Sequence, residues 1–287
     1  MVNVIDAFGE FKNILEKNLN KSTEDKLQLW IKYYEKNYPE LKEKCTCDYE
    51  KDGYSWKEVA VNKVFNRVAE DFCFMIEAHE NLLKVLKDIE ERVIKVFHVE
   101  IDINIVLYSS LGHAAGWVDE YEGKRAIIFG IDKIAELRWQ TTDQLDSLVC
   151  HELSHVVHYY IRNEVIPKWA EENKYNNGIW NIYEEGFAQF FQHKLSYAKV
   201  DSRGEGWISI CNENKDKLKK LYLEALKNDE RGTNDFFGDW FQVLGISDAG
   251  YFLGAELIKG LSEKYDLKHI ACMKKEDIEK VVLDFLN

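Results

Sequence analysis

The apolar positions change period near residue 98, and that change divides the chain. Before it they recur at helical spacing: Phe8, Phe11, Ile14 and Leu15, then Leu27 to Tyr38, then a long run from Val59 to Val96 with Val64, Val68, Phe72, Met75 and Ile76 on its apolar side. Residues 1–97 therefore read as a helical N-terminal region, in which Pro39 closes the second helix and the charged stretch Glu40 to Gly53 is a loop. From Val99 the pattern alternates. Val99, Ile101, Ile103, Ile105 and Leu107 point one way, while Glu100, Asp102 and Asn104 point the other, as on a half-buried strand. The loop Ser109 to Gly116, the pair Trp117-Val118 and the run Arg125 to Ile131 complete a small sheet. Its strands are either interior or open at an edge to an extended peptide, which would pair through main-chain hydrogen bonds.

Helical spacing then returns. Thr141 and Gln144 have capping-box spacing, and the helix they start runs to about Arg162. A polar connection, Asn163 to Gly178, contains Pro167 and ends Asn176-Asn177-Gly178. Helices are expected from about Ile179 to Ala198, Asn214 to Lys227, Asp248 to Tyr265 and Lys275 to Phe285, with a polar loop over Asn228 to Asp239. The fold class is α+β and mostly helical, with a small mixed sheet placed before the helix at Thr141. Three regions follow: 1–97, 98–200 and 201–287, with the two helical flanks expected to border a cleft.

The helix from Thr141 carries the candidate chemistry. In His151-Glu152-Leu153-Ser154-His155 the two imidazoles lie one turn apart on one face, within reach of a single metal ion, and Glu152 sits beside them to handle a water proton. Leu145, Leu148, Val149, Leu153, Val156 and Val157 surround them, and titratable groups in so apolar a segment are costly unless something satisfies them.

Charge and composition narrow the classes. The net charge of -13 disfavours a nucleic-acid partner, because a phosphate backbone needs a basic surface. No apolar run approaches the length that spans a bilayer, and the first residues lack the basic start, apolar centre and cleavage site of a secretory signal, so a cytoplasmic protein is expected. The six cysteines are too scattered for a disulfide framework, and Cys45-Thr46-Cys47 does not match the common zinc-site spacings; reduced thiols are expected.

A hydrolytic zinc takes three protein ligands. His158 lies two turns from His151 and is poorly placed to share its ion. A metzincin would need Gly and His where this chain has His158 and Ile161, which excludes that pattern. The next helix offers Glu184 and Glu185, about 100 degrees apart around its axis, so spacing alone allows one of them to face the metal without choosing which. Gly186 costs about 1 kcal/mol relative to Ala inside a helix, which suggests close packing beside the metal helix. Asn181, Glu185, Gln189 and Gln192 form a polar stripe, either an active-site face or a solvated one.

His151-Glu152-Leu153-Ser154-His155 together with Glu185-Gly186-Phe187-Ala188 resembles the gluzincin clan of zinc metallopeptidases, over roughly residues 99 to 265. Gly250-Tyr251-Phe252-Leu253-Gly254 is similar to a segment of uncharacterised bacterial zinc-protease-like members of that clan. The resemblance implies a zincin-like core at 98–200, Zn2+ held by His151, His155 and Glu185, Glu152 as general base, and a peptide or protein substrate. It also points to a downstream tyrosine or histidine as oxyanion donor. Tyr251 is the candidate, with His113 as a second choice for that role or for substrate contact. Two departures stand out: Gln189 occupies the position where thermolysin-like members carry an orienting aspartate, and the aminopeptidase Gly-x-Met-x-Asn segment is not found. Endopeptidase or oligopeptidase activity is therefore expected. The alternatives are a zinc hydrolase of a non-peptide amide and a non-catalytic metal-binding module.

Overall fold

The computed structural model describes residues 1–51, 53–198, 201–227 and 230–287. Contacts divide the chain into two compact units, Met1–Glu152 and Leu153–Asn287, and the division falls inside one continuous helix.

The first unit opens with strand β1 (Val2–Asp6), followed by helices α1 (Gly9–Glu16), α2 (Thr23–Asn37), α3 (Pro39–Lys51) and the short α4 (Trp56–Val59). A π-helical stretch, Ala60–Phe65, leads to α5 (Val68–Val85) and α6 (Ile89–Phe97). Strands β2 (Ile103–Tyr108), β3 (Gly116–Tyr121) and β4 (Lys124–Gly130) precede α7 (Ile131–Leu137) and α8 (Thr142–Arg162). The sheet has the order β1-β2-β4-β3; β1, β2 and β4 are parallel, and β3 runs antiparallel to β4 at an edge. Glu122 and Gly123 both take positive φ, 53° and 69°, the backbone that a tight two-residue hairpin between β3 and β4 requires.

The architecture is thus α+β, mostly helical, with a small mixed sheet ahead of α8. Several local expectations are corrected. Residues 1–97 are not wholly helical, because Val2–Asp6 pairs in parallel with β2; five residues carry little periodicity of their own, and the partner strand supplies their backbone hydrogen bonds. Of the loop expected at Glu40 to Gly53, Glu40 to Lys51 is helical, and Asp52 lies outside the described residues. Pro39 begins α3, a first-turn position where its missing N–H costs nothing, and Leu41, Cys45 and Tyr49 bury one side of that helix. The run from Val59 to Val96 is broken by the π-helical stretch and by a 3-10 turn, Leu86–Asp88.

The expected half-buried strand at 99–107 begins only at Ile103 and is buried throughout, as a parallel strand covered on both faces should be. Asn104, read as facing solvent, lies inside the sheet. Its amide donates to the Tyr121 carbonyl at 3.0 Å and its oxygen accepts from Asn3 at 3.1 Å. Aromatic residues of α2 cover one sheet face: Tyr34 packs edge-on against Tyr108, and the Trp30 indole donates to the Ser109 carbonyl at 2.9 Å.

The second unit holds the end of α8, then α9 (Lys174–Leu195), α10 (Glu205–Glu213), α11 (Lys215–Leu226), α12 (Ala249–Ser262), α13 (Leu267–Ala271) and α14 (Lys275–Leu286). Helix α9 starts five residues before its expected origin at Ile179, because Asn173 caps it by accepting from the Asn176 amide at 2.9 Å. Gly178, read as part of a breaker, lies in its second turn, where a Cβ would come within 2.7 Å of Leu226. Helix α10 falls in a stretch where no helix was expected. Of the loop expected at 228–239, Asn228 and Asp229 lie outside the described residues, and a 3-10 turn, Asn234–Phe236, interrupts the rest. No helix among the described residues is long and apolar enough to cross a membrane.

Candidate metal centre

Helix α8 forms where the sequence places it. Thr141 accepts from the Gln144 amide at 3.4 Å and its hydroxyl donates to the Gln144 side chain at 2.7 Å, so the predicted cap is in place. Leu145, Val149, Leu153, Val156 and Val157 are fully buried, and His151, Glu152 and His155 are buried among them. One turn ahead of Cys150, Asp146 receives the Arg92 guanidinium of α6 at 2.5 Å. Both side chains are buried. Arg92 also donates to the Val85 carbonyl at 3.1 Å and to Asp88 at 3.1 Å, so this end of α8 is tied down by a charge pair with most of its donors satisfied.

His151, His155 and Glu185 come together: each offers one ligand atom, and these atoms lie within 4.8 Å of one another. His155 Nε2 and Glu185 Oε2 are 3.2 Å apart. Two donors about 2.05 Å from a tetrahedral zinc would be about 3.3 Å apart, so this pair already has the separation that a shared ion requires. Two imidazoles and one carboxylate also form a donor set that suits a divalent transition-metal ion. The group could hold a metal ion.

The two neighbouring glutamates have different places on one imidazole. Glu185 faces Nε2, and Glu184 Oε1 lies 3.9 Å from Nδ1. Glu184 is buried and receives the Tyr159 hydroxyl. Burial pushes its carboxyl up to about 7, the Glu185 charge adds to that, and His155 and the Tyr159 hydrogen bond oppose it. His158 points elsewhere. It is fully buried, stacked on Phe187 with ring centroids 4.2 Å apart and flanked by Trp180 and Tyr183. That burial holds its pKa well below the ordinary imidazole value, so the ring is neutral.

Gly186 does serve close packing, but against α12 rather than the metal helix: a Cβ there would fall 2.3 Å from the Gly254 backbone. Gly254 answers in kind, since its own Cβ would lie 2.3 Å from the Ile182 carbonyl. Of the stripe on α9, Gln189 and Gln192 are buried, whereas Asn181 and Glu185 are half-buried. Gln189, where an orienting aspartate was sought, gives its amide to Asp201 and accepts from Arg203 at 3.4 Å.

Tyr251 lies in the first turn of α12, half-buried, with the Arg203 guanidinium 4.4 Å above its ring and Phe237 at its edge. Arg203 is itself held by Asp248 at 2.9 Å and Asp201 at 3.6 Å. His113 packs edge-on against Tyr49 and Trp117, each 5.4 Å between ring centroids.

Glu152 has a neighbour that the sequence did not reveal. Gly116, the first residue of β3, lies so close that a Cβ there would be 3.2 Å from both Cγ and Oε1 of Glu152. A glycine opening an edge strand was the available signal, since such a position often marks a close approach. Comparison with protein-family models, with curated proteins and with solved structures finds no match to this chain, so the chemistry of the centre is read from its own residues.

Proposed function

We propose that the chain is a zinc-dependent peptidase in which His151, His155 and Glu185 hold the ion and Glu152 is the general base. The observation that carries this reading is the convergence of those three ligand atoms within 4.8 Å, two of them on a helix that also carries the buried Glu152 and the third on α9. A zinc ion, when bound there, would lower the pKa of a water molecule and polarise a substrate carbonyl. Glu152 accepts the proton of the attacking water and returns it to the leaving amine, the role its position beside the ligands suits. A purely structural metal needs no such base, which favours hydrolysis over a binding module.

A zincin-like arrangement fits the sheet's place just ahead of α8. Strand β3 has no strand partner on its outer side among the described residues, and its first residue touches Glu152. An extended peptide laid along β3 would be held by main-chain hydrogen bonds, with its scissile amide brought to the base. Tyr251 is the proposed oxyanion donor, oriented by the Arg203 guanidinium over its ring.

The test is a metal assay on the purified protein followed by cleavage of labelled casein. Bound zinc at one per chain, and cleavage lost in Glu152→Gln with zinc retained, are the expected results. Failure to bind zinc, or cleavage unaffected by Glu152→Gln, overturns the proposal.

A further inference from the structure

Trp30, Cys45 and Tyr49 donate to the carbonyls of the connection from β2 to β3, and one carboxylate gathers its donors. Asp132, in the first turn of α7, is buried and accepts from the Ser110 amide at 2.7 Å, the Gly112 amide at 2.9 Å, the Ser110 hydroxyl at 3.0 Å and the Ser109 hydroxyl at 3.3 Å. Leu111 and Gly112 take positive φ, 55° and 77°, a tight reversal that these acceptors stabilise from within. Gly130 closes the other side. A Cβ there would lie 2.2 Å from the Ala114 carbonyl and the Ser110 hydroxyl, and its own amide donates to Ala115 at 3.1 Å.

Residues 110–115 are thus clamped between Asp132 and the Gly130 backbone, and the next residue, Gly116, is the one that abuts Glu152. A buried carboxylate needs several donors to offset its desolvation, and here four come from this one connection. The loop and the carboxylate therefore hold each other in one arrangement.

We propose that Asp132 is a positioning residue for the base: by clamping the 109–116 connection it sets Gly116 against Glu152, and with it the entry of the edge strand. The inference rests on the peptidase reading for its catalytic consequence, but the clamp can be measured without activity. In Asp132→Asn one acceptor oxygen becomes an amide NH2 group, a donor facing donors, so part of the loop must let go. Ser110→Ala removes one hydroxyl and leaves the backbone hydrogen bonds, which makes it the milder variant should Asp132→Asn fail to fold.

Hydrogen exchange, zinc competition and cleavage of labelled casein are measured on both variants and on Glu152→Gln. Exchange over 109–121 should rise about tenfold or more while 142–162 keeps its protection. Zinc affinity should stay within about threefold, and kcat should fall about tenfold or more with KM little changed, as expected when a base is misplaced by a fraction of an ångström. Unchanged exchange over 109–121, a uniform rise across residues 1–152, or an unchanged kcat despite a loosened loop overturns the proposal. If the zinc-loaded wild type cleaves no faster than Glu152→Gln, the peptidase reading fails instead, and exchange alone decides for or against the clamp.

Discussion

His155 and Glu184 face each other at 3.9 Å, Nδ1 to Oε1, on the side of the imidazole opposite Glu185. That separation is beyond a hydrogen bond, but a carboxylate on this side favours a proton on Nδ1 and so leaves Nε2 to bind an ion, and the Tyr159 hydroxyl holds the carboxylate in place. Glu184→Gln and Tyr159→Phe should each weaken zinc binding about 10- to 100-fold. Glu185→Ala, which removes a ligand atom, should weaken it further. Competition with a chromophoric chelator measures all three, and equal losses for Glu184→Gln and Glu185→Ala would reverse the assignment.

Arg92 and Asp146 are both buried, so losing one partner strands the other. Arg92→Met should destabilise the protein by about 3–5 kcal/mol in urea unfolding, whereas the double variant Arg92→Met/Asp146→Leu should recover much of that loss. A single-variant cost below about 1 kcal/mol would mean that the pair does not anchor α8.

The crossing of α9 and α12 has no room for side chains at Gly186 and Gly254. Gly186→Ala places a methyl group 2.3 Å from backbone atoms, which cannot rotate away, so α12 must shift. A loss of about 1–3 kcal/mol is expected from overpacking, despite alanine's better helix propensity. Because Glu185 is the adjacent residue, zinc affinity should fall with it. Unchanged affinity together with lowered stability would show that the crossing supports the fold but not the ligand.

Asp6 links β1 to α1 and α5. Burial disfavours its charge, but the His79 hydrogen bond at 2.9 Å and the amides of Gly9 and Phe8 outweigh that, and its pKa lies below the ordinary carboxylate value. A group with a depressed pKa in the folded state stabilises above its unfolded pKa, about 3.9, and that contribution is lost as pH falls through the folded value. Wild type should therefore exceed Asp6→Asn in unfolding free energy at pH 7, and the gap should narrow below about pH 4. A gap that stays constant down to acid pH would remove Asp6 as the linked group.

The sequence by itself determined what depends on local period. Apolar spacing of 3.6 placed α8 with its cap at Thr141, and the same period puts His151 and His155 on one face with Glu152 beside them. The expected roles of zinc and of Glu152 in hydrolysis come from those residues, and the metal and cleavage assays test them.

Only the tertiary structure decided the rest, because it depends on partners distant in sequence. Spacing on α9 left Glu184 and Glu185 as rivals; packing against His155 sets them on opposite nitrogens of one ring. Five residues at the N-terminus carry too few side chains to show a period, and Val2–Asp6 becomes a strand only because β2 is there to accept it. The charged face of α3 hid an apolar one, Leu41, Cys45 and Tyr49, whose burial requires the loop at Ser110 and Leu111 to be packed against it. The approach of Gly116 to Glu152 is of the same kind. It joins residues that are 36 positions apart through a loop whose shape is set by Asp132, and no local pattern encodes that distance.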